Sequence, residues 1–145
     1  MSSRHQARTY ALQILCAFDF NRSFLNKEAD LEKISESIFK NFAPVNDFKE
    51  KEFVLKLVKG VIEKIQEINE KIKKFAPQWP IEKIAVIDRN ILRLSIFELL
   101  FSSQVPPKVV INEAIEIAKL FGSSSSSKFI NGVLGALYEE IKENK

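Results

Sequence analysis

The sequence predicts an all-α fold. Apolar residues recur every three or four positions over long segments, which is the period of a helix with one buried face. Helix-breaking residues are sparse, with 4 Gly and 5 Pro in 145 residues, and they cluster between those segments. At 46% hydrophobic and 28% charged, the chain can bury a sizeable core within one domain.

The first helix is expected from about Ser3 to Phe20. Ala7, Ala11, Ile14 and Phe18 form its core stripe, with Tyr10 and Leu15 at the edges. Leu12, Cys16 and Phe20 make a second apolar line on the opposite side. Such a helix is either sandwiched inside the fold or offers one line to a partner. A second helix, about Glu28 to Phe42, carries Leu31, Ile34, Ile38 and Phe42 and ends at Ala43-Pro44, because the residue before proline avoids the helical region. Asp47-Phe48-Lys49-Glu50 has the form of a capping box. It opens a long third helix that reaches about Phe75 and buries Phe53, Leu57, Val61, Ile65, Ile68 and Ile72. Pro77 and Pro80 flank Trp79 and mark the internal boundary. The expectation is two helical bundles, about residues 1–78 and 79–145, packed into one domain.

Ile81 to Ile87 gives a short helix or the start of the next one, and Asp88 to Phe101 is apolar nearly all round, as a central helix should be. Val105-Pro106-Pro107 breaks the chain. Ile111, Ala114, Ile117, Ala118 and Phe121 then form a stripe ending at Gly122, the expected C′ residue. Five serines follow, the last able to cap the final helix, whose stripe is Ile130, Val133, Leu134, Leu137 and Ile141. Phe129 lies at the margin of that stripe, and Lys128, Gly132 and Gly135 face away from it. Glycines on an outward helical face cost roughly 1 kcal/mol each relative to Ala. A core does not need them there, whereas a closely approaching ligand could.

Catalysis finds little footing. The chain has one His, one Cys, no Gly-rich phosphate loop and no cluster of ligands at metal spacing. His5 lies near the terminus, and Glu113 and Glu116 sit on a polar helix face where Lys119 can pair with Glu116. Neither an enzyme, a bound cofactor nor a metal is expected. A single cysteine excludes an internal disulfide, and no apolar run or leader points to a membrane, so a cytoplasmic protein is expected.

Nucleic-acid binding has direct candidates. The net charge of +3 permits an anionic partner without demanding one. Arg4 and Arg8 stand one turn apart and suit phosphate contacts or base stacking, or else form a solvated first turn. Lys128 beside Phe129 at a helix start could hold a phosphate and stack a base, or be a surface lysine beside a core phenylalanine. Asp88 either complements a helix dipole or meets a partner.

Asp88-Arg89-Asn90-Ile91-Leu92-Arg93, the stretch Val105–Gly122 containing Asn112-Glu113-Ala114-Ile115-Glu116, and Lys128-Phe129-Ile130-Asn131-Gly132 closely resemble the NusB family of bacterial transcription antitermination factors. Ala7-Arg8 with Ala11-Leu12-Gln13-Ile14-Leu15 resembles that family's opening helix. The resemblance implies an all-helical protein that binds single-stranded boxA RNA of nascent ribosomal transcripts together with the ribosomal protein NusE. The resulting complex helps RNA polymerase read through terminators. It implies RNA contacts at Arg4, His5, Gln6, Arg8, Ser125, Lys128 and Phe129. It also implies a NusE-facing side including Cys16 and Asp88, to which the helix-one line adds Leu12 and Phe20. The chain departs from the family pattern at His5 and Gln6, at Ser125 where an acid is common, and at Cys16 where an aromatic is common. Similar domains also occur as RNA-binding appendages of ribosomal RNA methyltransferases, and some members form homodimers. Both alternatives stay open at this stage.

Overall fold

Each predicted periodic segment forms a helix in the computed structural model, which describes residues 3–20, 31–41, 48–102 and 104–144. The helices are α1 (Ser3–Phe20), α2 (Leu31–Asn41), α3 (Phe48–Glu63), α4 (Ile65–Phe75), α5 (Val86–Phe101), α6 (Pro107–Phe121) and α7 (Ser126–Glu143). A single 3₁₀ turn, Ile81–Lys83, precedes α5. No strand occurs among the described residues. The expected cap at Asp47, and Leu31, Ile38 and Phe42 of the second helix's stripe, lie outside the residues or side chains described.

The chain divides into two compact units, residues 1–63 and 64–145. In the first, α1 packs against both α2 and α3. Ala7, Ala11, Ile14, Leu15 and Phe18 are buried on α1, with Val54, Leu57, Val58 and Val61 on α3. Leu12 is buried as well, at 2% exposure. That corrects its expected outward placement: with helices on two sides, the second apolar line is covered where it begins.

The boundary between units falls at Lys64 rather than at Pro77–Pro80. The expected long third helix is two helices, α3 and α4, separated at Lys64 with φ −103° and ψ 18°. Helix α4 buries Ile65, Ile68 and Ile72 and packs with α5 and α7, so it belongs to the second unit. Periodicity alone could not reveal this, because the apolar spacing runs through the break without Gly or Pro.

Helix α5 packs against α4, α6 and α7 and buries Ile91, Leu92, Leu94 and Ile96. It also buries polar groups. The Arg93 guanidinium donates through Nε to Asn69 Oδ1 and through Nη1 to Asn90 Oδ1, each at 3.1 Å. Asn90 Nδ2 donates to the Val86 carbonyl at 2.9 Å. A buried cation needs such acceptors, since leaving one unmet costs about 1–3 kcal/mol or more. Between α4 and α7, Glu140 accepts from Lys71 at 3.0 Å and also from Lys74. Hydrogen bonds from Lys74 and then Lys71 hold its carboxyl below the ordinary glutamate range. Helix α6 begins with Pro107 at a first-turn position, where the missing N–H costs nothing. Its Val110, Ala114, Ile117 and Ala118 are buried, whereas Phe121, expected in that stripe, is 41% exposed.

Candidate nucleic-acid interface

The N-terminal candidates occupy the first turns of α1. No acid stands in its first turn, so Arg4 opposes the helix dipole there, at a cost of about 0.3–1 kcal/mol for an exposed charge. A compensating contact comes from α3: the Arg4 guanidinium carbon lies 3.7 Å from the Phe53 ring centroid, and that of Arg8 lies 5.8 Å from it. One aromatic ring therefore gathers both arginines. Their exposures differ. Arg4 and Gln6 are exposed and His5 is half-buried, while Arg8 is only 6% exposed. The surface position expected for Arg8 is thus corrected: its side chain is almost wholly buried. The His5 carbonyl accepts from Thr9 Oγ1 at 3.0 Å, which continues the helix bonding of this turn.

In the second unit the candidate contacts follow the turn from α6 to α7. Gly122 donates its N–H to the Ala118 carbonyl at 2.8 Å and continues with φ −92° and ψ −173°. This is extended backbone, not the left-handed cap expected from the sequence. Glycine is needed for space instead: a Cβ there would meet Ser126 Oγ at 2.5 Å and the Ala118 carbonyl oxygen at 2.8 Å. Ser126 is buried, and its Oγ accepts from the Ser123 N–H at 2.9 Å while its own N–H donates to the Ser123 carbonyl at 3.1 Å. The serine run is therefore a closed turn, anchored by Ser126 rather than capped by its last serine.

Helix α7 starts with Ser125 in the cap position and no side-chain cap bond. The first N–H groups of a helix are natural anion donors when nothing caps them. Ser125 and Lys128 are exposed there, and Phe129 is half-buried beside the buried Ile130. Lys128 makes no ion pair among the described residues. Further along, a Cβ at Gly132 or Gly135 would meet nothing within 4 Å, so the fold itself does not require either glycine. Ser125, Lys128 and Phe129 are thus brought together on one helical turn. Arg4, His5, Gln6 and Arg8 form a separate group on the other unit.

The expected partner-facing residues also divide between units. On α1, Cys16 is half-buried and Phe20 is 80% exposed. On α5, Asp88 lies in the first turn, where the dipole favours an acid. It is only 9% exposed, and among the described residues its Oδ1 has no hydrogen-bond partner. A buried acceptor left unpaired is costly, and because this oxygen is itself covered, a partner meets Asp88 only along the small part of the residue that reaches the surface.

The NusB family model matches residues 5–139. The chain belongs to the NusB family. A transcription antitermination protein NusB from a Nitratiruptor species is 41% identical over 142 residues, covering 98% of this chain and 96% of that protein. The NusB of Chloroherpeton thalassium is 41% identical over 140 residues, 97% of this chain, which spans only 63% of that longer protein. Among solved structures, NusB of T. maritima superposes with a TM-score of 0.82 at 36% identity, covering 94% of this chain and 91% of that one. A NusB chain from a crystal structure of antitermination factors NusB and NusE in complex with dsRNA gives 0.82 at 26% identity, covering 97% and 98%. The all-α fold of the NusB family is therefore shown for this chain.

The sequence reading missed several polar residues that organise this NusB-family chain. Buried Arg93 and Asn90, and half-buried Asn69, carry no periodic signal, because their positions look like ordinary helix polar residues. Glu140 was hidden for the same reason, its lysine partners lying in a run that reads as a solvated face. Among the described residues, no group of three His, Cys, Asp or Glu is placed to hold a metal ion, and no helix is long and apolar enough to cross a membrane.

Proposed function

We propose that the chain is a transcription antitermination factor that binds single-stranded boxA RNA of nascent ribosomal transcripts together with the NusE ribosomal protein. It acts as a binding protein in the cytoplasm, without a catalytic step, and promotes read-through by RNA polymerase. The observation that carries this reading is the likeness, over nearly the whole chain, to the NusB of a NusB–NusE complex with dsRNA. The site chemistry agrees with it. Arg4, His5 and Gln6 on one unit, and Ser125, Lys128 and Phe129 on the other, supply cations, hydrogen-bonding groups and one aromatic ring, the set that grips phosphate and stacks an unpaired base. Arg8 lies beside the same Phe53 ring as Arg4, at the greater distance. Asp88, Cys16 and Phe20 are assigned to the protein partner. The acid at the head of α5, which keeps a small exposed edge, fits a cationic group of a ribosomal protein.

Separable defects test this division. Asp88→Lys should weaken the complex with NusE by like-charge repulsion and leave RNA binding by the isolated chain nearly unchanged. A lysine at that nearly buried helix start opposes the dipole, by about 0.3–1 kcal/mol, and also carries the larger cost of burying its charge, so a circular-dichroism melt accompanies the binding assay. A folded variant that binds NusE as the parent does would reduce Asp88 to a helix-start residue.

A further inference from the structure

The turn between α4 and the 3₁₀ turn holds a feature that the contacts above leave unused. Trp79, the chain's one tryptophan, is 57% exposed. It lines a cleft of about 440 Å³ with Lys73, Pro77, Pro80, Ile81 and Glu82. The loop that presents it is pinned at both ends. Ala76 donates its N–H to the Ile72 carbonyl at 2.8 Å, and Trp79 donates to the Ala76 carbonyl at 3.4 Å. On the far side Lys83 donates to the Pro80 carbonyl at 2.9 Å, and Arg89 Nη1 donates to the Ile84 carbonyl at 3.0 Å. Prolines on either side of Trp79 restrict the backbone further. The indole is thus held outward on a stiff loop instead of collapsing onto its own unit.

Charge identifies the class of occupant. Residues 71–83 contain Lys71, Lys73, Lys74 and Lys83 against the single acid Glu82. Lys71 and Lys74 are engaged by Glu140, whereas Lys73, Lys83 and the cleft-lining Glu82 make no ion pair among the described residues, which leaves these three with a net excess of one positive charge. A flat aromatic face beside unpaired cations suits a ligand that is itself flat and anionic. We propose that Trp79 and Lys73 form a base-stacking subsite for single-stranded RNA, the base lying on the indole and the adjoining phosphate meeting the Lys73 ammonium. This inference rests on the RNA-binding reading. It adds a contact on a different turn of the second unit from Ser125, Lys128 and Phe129.

The lone tryptophan is its own reporter. Titration of the whole chain with unstructured single-stranded RNA should quench Trp79 emission saturably, in step with binding followed by anisotropy of labelled RNA. Trp79→Ala should weaken binding by about tenfold or more, and Trp79→Phe should largely restore it. Lys73→Gln should reduce the salt slope by about 0.7. RNA that binds without moving Trp79 emission, or that binds Trp79→Ala as tightly as the parent, overturns the subsite and leaves the RNA-binding reading standing. Emission that answers to NusE protein and not to RNA assigns the cleft to a protein partner and also overturns it. If labelled RNA does not bind the parent chain at low salt, the RNA-binding reading itself fails, and the subsite fails with it. Should Trp79→Ala not fold, the parent's quenching and the Lys73→Gln slope decide.

Discussion

Phe129 sits half-buried on the first turn of α7, next to the buried Ile130 and the exposed Lys128. Truncating a fully buried phenylalanine typically costs about 3–5 kcal/mol of stability, whereas losing one stacked base costs about 1–3 kcal/mol of binding. Intermediate burial favours the second outcome. Phe129→Ala should lose RNA affinity while remaining folded, measured by RNA titration alongside a thermal melt. A collapse of the melt with no separable binding defect would make it a core residue. Single positions were legible from sequence where helical geometry decided them: Ile130, Val133, Leu134 and Leu137 are buried as their spacing required. They were not legible where a tertiary neighbour decided. Leu12 looks outward on a helical wheel but is buried on a helix flanked by two others, and Arg8 reads as a surface cation but is drawn toward Phe53. Gly122 was expected for its left-handed freedom, and its actual cause, the close approach of Ser126, depends on how the loop folds back.

Helix α7 contains glycines whose neighbourhoods are open, and it is preceded by one whose neighbourhood is closed. Gly132→Ala should therefore stabilise the helix by about 0.5–1 kcal/mol, because alanine loses less backbone entropy and meets nothing. Gly122→Ala should destabilise by about 1–3 kcal/mol, the usual cost of forcing an extra methyl into a packed site. Urea melts of both variants give the two signs. If Gly132→Ala stabilises the chain yet weakens RNA binding, that glycine serves close approach of the ligand. The clamp between α4 and α7 makes a second element-scale expectation. Glu140 has its pKa depressed in the fold, so its contribution is complete above the ordinary glutamate range and disappears as pH falls through the depressed value. Glu140→Gln should lower the melting temperature at neutral pH, with the difference closing below the ordinary glutamate range. An equal difference at all pH values would show that the lysines do not hold a carboxylate there. Element boundaries were legible where Pro, Gly or a serine run marked them, as at Pro107 and Gly122. The break at Lys64 was not, since the spacing of Val61, Ile65 and Ile68 continues across it.

At the scale of the molecule, the two units each carry part of the chemistry assigned to one RNA-binding function: cations beside an aromatic on α1 and α3, and a helix start with Lys128 and Phe129 on α7. The fold class and the family were readable in the sequence because helical period and long motif stretches are both visible in a single chain. The buried polar network around Arg93, the clamp at Glu140 and the outward Trp79 depended on contacts between segments far apart in sequence. The measurement that bears most directly on the account is binding of labelled single-stranded boxA RNA, with and without the NusE ribosomal protein, over a series of salt concentrations. Binding should be weak for the chain alone and tighter with NusE. Three to five phosphate contacts should give a log–log salt slope of roughly −2 to −3.5 at about −0.7 per phosphate. Binding indifferent to salt, preference for duplex over the single strand, or no gain on adding NusE would contradict it.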